Sequence, residues 1–145
     1  MADHEERWDE SRRLTQMLVE VAERSKEEFT RVASEVGLPV HLARALFLMD
    51  EPAPMRDLAT RLSCDRSYVT GIADQLEAAG LVVRVTGEDR RVKFLALTDS
   101  GRGVRQGLIE KFGERSLVMR RLSEAERTAL AGVLERLLAE ESERG

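Results

Sequence analysis

The chain has 145 residues, 42% of them hydrophobic and 34% charged, with a formal net charge of −4. That is one domain's worth of sequence with enough apolar content for a core; it has no run of about 18 apolar residues, so no membrane span is expected. The opening MADHEERWDESRR has neither a basic start nor an apolar stretch, so no export signal is expected, and the single cysteine, Cys64, excludes an internal disulfide. Two histidines far from that cysteine make no ligand cluster, so neither a metal nor a cofactor is expected in what reads as a cytoplasmic protein.

Residues 5–36 carry Trp8, Leu14, Leu18, Val21, Phe29, Val32 and Val36 at helical spacing, uninterrupted by glycine or proline until Gly37 and Pro39. The stripe is longer than a small domain covers by itself, so part of it is expected to meet a second chain or the other terminal helix. Pro39 pre-sets the first turn of a short helix over 39–50, with Val40, Ala43, Leu46 and Phe47 inward and Pro52 and Pro54 ending it. Residues 55–62 form the next helix, burying Leu58, Ala59 and Leu62, with Asp57 in the first turn where the helix dipole favours an anion.

After the turn Ser63-Cys64-Asp65, Asp65 caps a helix over 66–79 whose inward face is Val69, Ile72, Ala73 and Leu76 and which Gly80 closes. The period then becomes strand-like: LVVRVT (81–86) and RVKFLALT (91–98) flank the turn Gly87-Glu88-Asp89-Arg90 and predict a hairpin. Thr98 caps a helix over 99–119, with Val104, Leu108 and Phe112 as its stripe. Ser123 with Glu126 matches a capping box and opens a last helix over 124–141, with Leu130, Val133, Leu134, Leu137 and Leu138 inward. The expected fold is mainly α with a small β-hairpin wing, an α+β arrangement of an N-terminal helix (1–36), a central module (37–100) and C-terminal helices (101–145).

A negative net charge opposes phosphate binding at first sight. Residues 54–105, however, hold nine Lys and Arg against seven Asp and Glu, so the acid is concentrated in the flanks. Helix, tight turn, helix and hairpin make a winged helix-turn-helix, in which the second helix fits the major groove of duplex DNA and the first buttresses it. Outward positions on the second helix are Arg66, Ser67, Tyr68, Thr70, Gly71, Asp74 and Gln75. Ser67 and Thr70 offer donors to phosphates, Arg66, Tyr68 and Gln75 reach base edges or backbone, and the tip Asp89-Arg90-Arg91 suits a neighbouring minor groove.

Cys64, in the turn, reads as a small buried core residue rather than a redox group, and His41 and Arg44 read as surface residues. No Ser/His/Asp set, acid–base carboxylate pair or glycine-rich phosphate loop stands out, so the chain is not expected to be an enzyme.

Two stretches, LATRLSCDRSYVTGIADQLEAAGLV (58–82) and GEDRRVKFLALTDSGR (87–102), resemble the MarR (multiple antibiotic resistance regulator) family. The family's wing motif is an Asp, any residue and an Arg, followed by Leu-Thr and then Gly; here these are Asp89, Arg91, Leu97-Thr98 and Gly101. The resemblance implies a cytoplasmic homodimer with interlocking terminal helices, two winged modules on a pseudo-palindromic operator, and repression relieved by a small aromatic or anionic effector. It also implies that Asp89 pairs with Arg91 and orients it toward DNA. Many members carry a basic residue where this chain has Gly71, and often another at Gln75. That departure motivates the competing reading of a protein-interaction dimer that kept the winged fold with little or no DNA binding.

Overall fold

The computed structural model describes residues 2–49 and 52–140. Their elements run α1 (Ala2–Glu35), α2 (Val40–Leu48), β1 (Ala53–Pro54), α3 (Met55–Leu62), α4 (Arg66–Ala78), β2 (Val82–Thr86), β3 (Lys93–Leu97), α5 (Asp99–Arg115), α6 (Leu117–Arg121) and α7 (Glu124–Leu138). Two compact units result, one spanning Lys26–Phe112 and the other formed by the chain up to Ser25 with the chain from Gly113.

The Lys26–Phe112 unit holds the core, because its helices present apolar residues at three- and four-residue spacing and so have one face to bury. Val32 and Ala33 of α1, Leu42, Ala43, Ala45 and Leu46 of α2, and Leu58, Ala59 and Leu62 of α3 join Val69, Ile72, Ala73 and Leu76 of α4. Met49, Ala53 of β1, Leu81, Val82 of β2, Leu95 and Leu97 of β3 and Leu108 of α5 complete it. Each fully buried aliphatic side chain contributes about 1.5–3 kcal/mol. Phe29, Phe47 and Phe112 meet edge-to-face with ring centroids 5.3–5.5 Å apart, which locks α1, α2 and α5 of this unit together. Arg105 Nε of α5 and Arg61 Nη1 of α3 donate to the Leu46 and Leu48 carbonyls at 3.0 and 2.7 Å, so the open C-terminus of α2 is satisfied by cations its own last turn lacks.

The hairpin forms as the alternation requires, with Val83↔Ala96 and Thr86↔Lys93 among its antiparallel pairs. A third strand was not anticipated: Ala53 and Pro54 pair with Leu95 and Phe94, giving the order β1-β3-β2. Two residues, one of them a proline, carry no strand signature, and proline is tolerated there because β1 is an edge. The joint between sheet and α5 is made by Thr98, whose Oγ1 donates to the Gly80 carbonyl at 2.6 Å and accepts from the Gly101 amide at 3.0 Å. Gly101 sits against the Leu81 carbonyl so closely that a Cβ there would collide with backbone.

Several expectations are corrected. Val40 is not inward; it is 42% exposed, and Leu42 and Ala45 take the buried places. The helix expected over 99–119 stops at Arg115, where buried Ser116 turns extended and its carbonyl accepts the Met119 and Arg120 amides to start α6. Arg120 Nε caps the Arg115 carbonyl at 2.8 Å, so the break leaves that acceptor satisfied. The capping box of α7 forms, with the Glu126 amide donating to Ser123 Oγ and the Ser123 amide to Glu126 Oε1. Of the side chains expected inward on α7, Leu130 is half-buried, but Val133, Leu134 and Leu137 are exposed and Leu138 is 82% exposed, because nothing among the described residues covers them. Trp8, Leu14, Leu18 and Val21 of α1 are exposed as well. The ends of the helices expected over 39–50 and 124–141 fall partly on residues outside those described.

Among the described residues no helix is long and apolar enough to cross a membrane, and no cluster of three or more His, Cys, Asp or Glu is placed to hold a metal ion.

Candidate nucleic-acid interface

The second helix of the module is fixed at both ends by local chemistry. Ser63 takes a left-handed conformation (φ 52°), and the Ser63 and Cys64 amides return to the Thr60 and Ala59 carbonyls, which closes α3 and reverses the chain. Asp65 is extended, and its Oδ1 accepts from the Tyr68 amide at 2.8 Å, which starts α4. At the far end Gly80 (φ +75°) closes α4, with Leu81 N donating to the Leu76 carbonyl. With Val69, Ile72, Ala73 and Leu76 buried, α4 shows its other faces to solvent.

The wing tip is likewise built locally. Val92 N donates to the Asp89 carbonyl at 2.9 Å, and Arg91 N donates to Asp89 Oδ1 at 3.0 Å. The aspartate therefore shapes a tight turn by mimicking backbone, the use for which turns favour it. The pairing of Asp89 with Arg91 expected from the resemblance thus runs through the Arg91 amide. The Arg91 guanidinium is left for another partner, and Arg90 projects from the tip exposed.

Between the wing and the starts of α3 and α4 lies a cleft of about 220 Å³, lined by Met55, Arg56, Arg66, Val69, Thr70, Arg91, Val92 and Lys93. Four of its eight lining residues are cations. Among the described residues, the only carboxylate paired with any of the four is Asp57, 3.8 Å from Arg56. Uncompensated positive charge in a groove beside a helix N-terminus favours an anion, phosphate above all.

Each sequence-predicted residue has a definite place. Arg66 and Arg91 come together in this cleft although 25 positions separate them. Ser67 is exposed on the outer face of α4, and Tyr68 is 50% exposed, so its ring is not packed away. Thr70 lines the cleft, but its hydroxyl donates to the Arg66 carbonyl at 2.9 Å, which leaves its oxygen as an acceptor rather than the donor anticipated. Gln75 is exposed, and its Oε1 lies 2.7 Å from His41 Nε2.

Asp74, on the outward face, is occupied within the module: Arg84 of β2 reaches it at 2.5 Å and Glu77 at 3.5 Å, and these acids hold the guanidinium above its ordinary pKa. Cys64 packs against the core, and burial, seconded by Asp65, pushes its thiol pKa up against the pull of Arg44, which suits an inert side chain.

Arg56, Lys93 and His41 were not anticipated as members of this surface. Lys93 is within reach of pattern reasoning, since side chains two apart at a strand start share a face and Arg91 is an expected site residue. Arg56 stands in the first turn of a predicted helix. His41 gave no local signal, because its partner is 34 residues away.

The MarR family model matches residues 50–93, a range that takes in β1, α3, α4, β2 and the wing tip and ends at the first residue of β3. The HTH-type transcriptional regulator FarR of Neisseria gonorrhoeae is 30% identical over 101 residues, 68% of this chain and 69% of that one. A protein of Thauera aromatica named for regulation of its hcr operon is 37% identical over 91 residues, 59% of this chain and 53% of that one, so the match spans about half of that relative.

Among solved structures, the transcriptional repressor CouR bound to a 23-mer DNA duplex is 27% identical, with a TM-score of 0.73 covering 87% of this chain and 92% of that one. CouR from Rhodococcus jostii RHA1 bound to p-coumaroyl-CoA overlays with a TM-score of 0.73 at 24% identity, over 90% and 95% of the two chains. The module, its arginine-tipped wing and a relative matched over two thirds of its length agree: the chain belongs to the MarR family of winged helix-turn-helix transcriptional regulators.

Proposed function

We propose that this chain works in the cytoplasm as a homodimer that binds a pseudo-palindromic duplex operator in a sequence-specific way and represses transcription, as a regulator rather than an enzyme. The observation that carries the reading is the four-cation cleft formed by Arg56, Arg66, Arg91 and Lys93 beside the exposed face of α4. In this reading α4 enters the major groove with Arg66, Ser67, Tyr68, Thr70 and Gln75, the cleft cations take phosphate oxygens beside it, and Asp89 shapes the turn that carries Arg90 and Arg91 to the edge of the minor groove, where Arg91 meets a bordering phosphate.

The segments 1–36 and 101–145 serve dimerisation around the module 37–100. The exposed Trp8, Leu14, Leu18 and Val21 of α1 and Val133, Leu137 and Leu138 of α7 support this, since apolar side chains left open by one chain are what a second chain covers. The DNA complex of CouR supports the choice of partner, and its complex with p-coumaroyl-CoA supports an aromatic or anionic effector that releases the operator.

Fluorescence-anisotropy titration of duplex DNA from upstream of the chain's own gene, at several salt concentrations, tests the proposal. The expected result is binding that weakens steeply with salt. Undetectable binding at low salt would refute it, and a co-purifying protein partner in that case would favour the interaction dimer instead. Sedimentation equilibrium should return a dimer, and a monomer at micromolar concentration would remove the paired-module geometry.

A further inference from the structure

The outer face of α4 offers few groups able to choose among bases. Ser67, Gly71 and Gln75 follow at four-residue spacing and share one face of the helix. Gly71 leaves that face bare, since a Cβ placed there would meet nothing within 4 Å. A base edge can therefore approach the helix backbone closely at this point, and Gln75, one turn on, is the side chain bordering the gap.

A free glutamine carboxamide reads adenine, because it can accept from N6 with its oxygen while donating to N7 with its nitrogen. Gln75 is not free in this sense. Half-buried His41, in the first turn of α2, approaches Gln75 Oε1 with Nε2 at 2.7 Å. A carboxamide oxygen only accepts, so His41 Nε2 carries the hydrogen and donates it. With the oxygen directed back at α2, the planar amide turns its two N–H donors outward, and two donors match the paired acceptors O6 and N7 of guanine.

We propose that His41 is a positioning residue for base choice: by holding the Gln75 carboxamide oxygen, it makes Gln75 select guanine where an unheld glutamine would select adenine. This rests on the DNA-binding reading above. It assigns recognition to a pair of residues on two helices, one of which lies on α2, outside the recognition helix.

Selection from random duplexes tests it, using the full-length protein and its His41→Ala, Gln75→Ala and double variants, each checked for a native melting transition. His41→Leu fills the same space without a donor and serves if His41→Ala does not fold. The unaltered protein should recover guanine at one position of each half-site, and Gln75→Ala should lose that preference.

His41→Ala should move the preference toward adenine by about tenfold, the scale of one good side-chain–base pair, and the double variant should match Gln75→Ala. An unchanged motif in both His41 variants would overturn the proposal. So would adenine already preferred at the position that Gln75→Ala relaxes, or a motif that Gln75→Ala leaves intact. Failure of the unaltered protein to recover any motif overturns the DNA-binding reading instead, before any variant is compared.

Discussion

Replacing Arg91 by alanine separates the two kinds of arginine that the wing contains. Among the described residues no carboxylate is paired with the Arg91 guanidinium, which lines the cleft with Arg56, Arg66 and Lys93. Arg84, by contrast, is neutralised inside the module by Asp74 and Glu77. Each phosphate neutralised contributes about 0.9 to the steepness of log K against log salt. If Arg91 holds one phosphate per protomer, a dimer loses about 2 from that slope on Arg91→Ala, so a fourfold rise in salt costs the unaltered protein about tenfold more affinity than the variant.

Arg84→Ala should leave the slope where it was, since Arg84 is held by Asp74 and Glu77 and takes no phosphate of its own. It should instead lower the melting temperature modestly, as the loss of a partly exposed ion pair does. Anisotropy titrations between 50 and 200 mM salt, a span of about fourfold, read both variants in one experiment. An Arg91→Ala slope indistinguishable from that of the unaltered protein, or an Arg84→Ala slope reduced as much, would refute the assignment of the cleft to phosphate.

Asp89 acts through the Arg91 amide rather than by facing the guanidinium, so Asp89→Asn should keep the turn and bind DNA at least as well as the native protein. Asp89→Ala should weaken binding nearly as much as Arg91→Ala; a large loss in Asp89→Asn would point back to an ion pair. Gly101→Ala forces a Cβ onto the Leu81 carbonyl and should cost about 3 kcal/mol in urea unfolding, with a near-neutral result contradicting the close approach. The Ser123 amide and hydroxyl hold the Glu126 carboxyl below its usual pKa. Its contribution is therefore present above the unfolded glutamate value and is lost as pH falls through the lowered folded one, so Glu126→Gln should flatten the acid limb of a melting-temperature-against-pH curve.

Much of the module was legible because the forces that define it act over three or four residues. Asp65 capping α4, Gly80 closing it, the Ser123–Glu126 box and the turn at Asp89 each satisfy an orphan backbone group within reach of their own side chain or φ angle, and residue type alone announces them. The apolar faces of α3 and α4 were equally plain, since periodicity says which side must be buried.

Features decided by the tertiary structure involve partners far apart in the chain. The β1 pairing needs β3 to arrive before Ala53 and Pro54 become a strand. The break at Ser116 is made by a buried residue whose type does not forbid a helix. The open face of α7 has an inward-looking pattern, and periodicity cannot tell a core within the chain from a surface awaiting a second chain. The four-cation cleft and the His41–Gln75 bond follow from how α2, α3, α4 and the wing pack, because long-range contacts are set by the shape of the whole core rather than by any residue's neighbours in sequence.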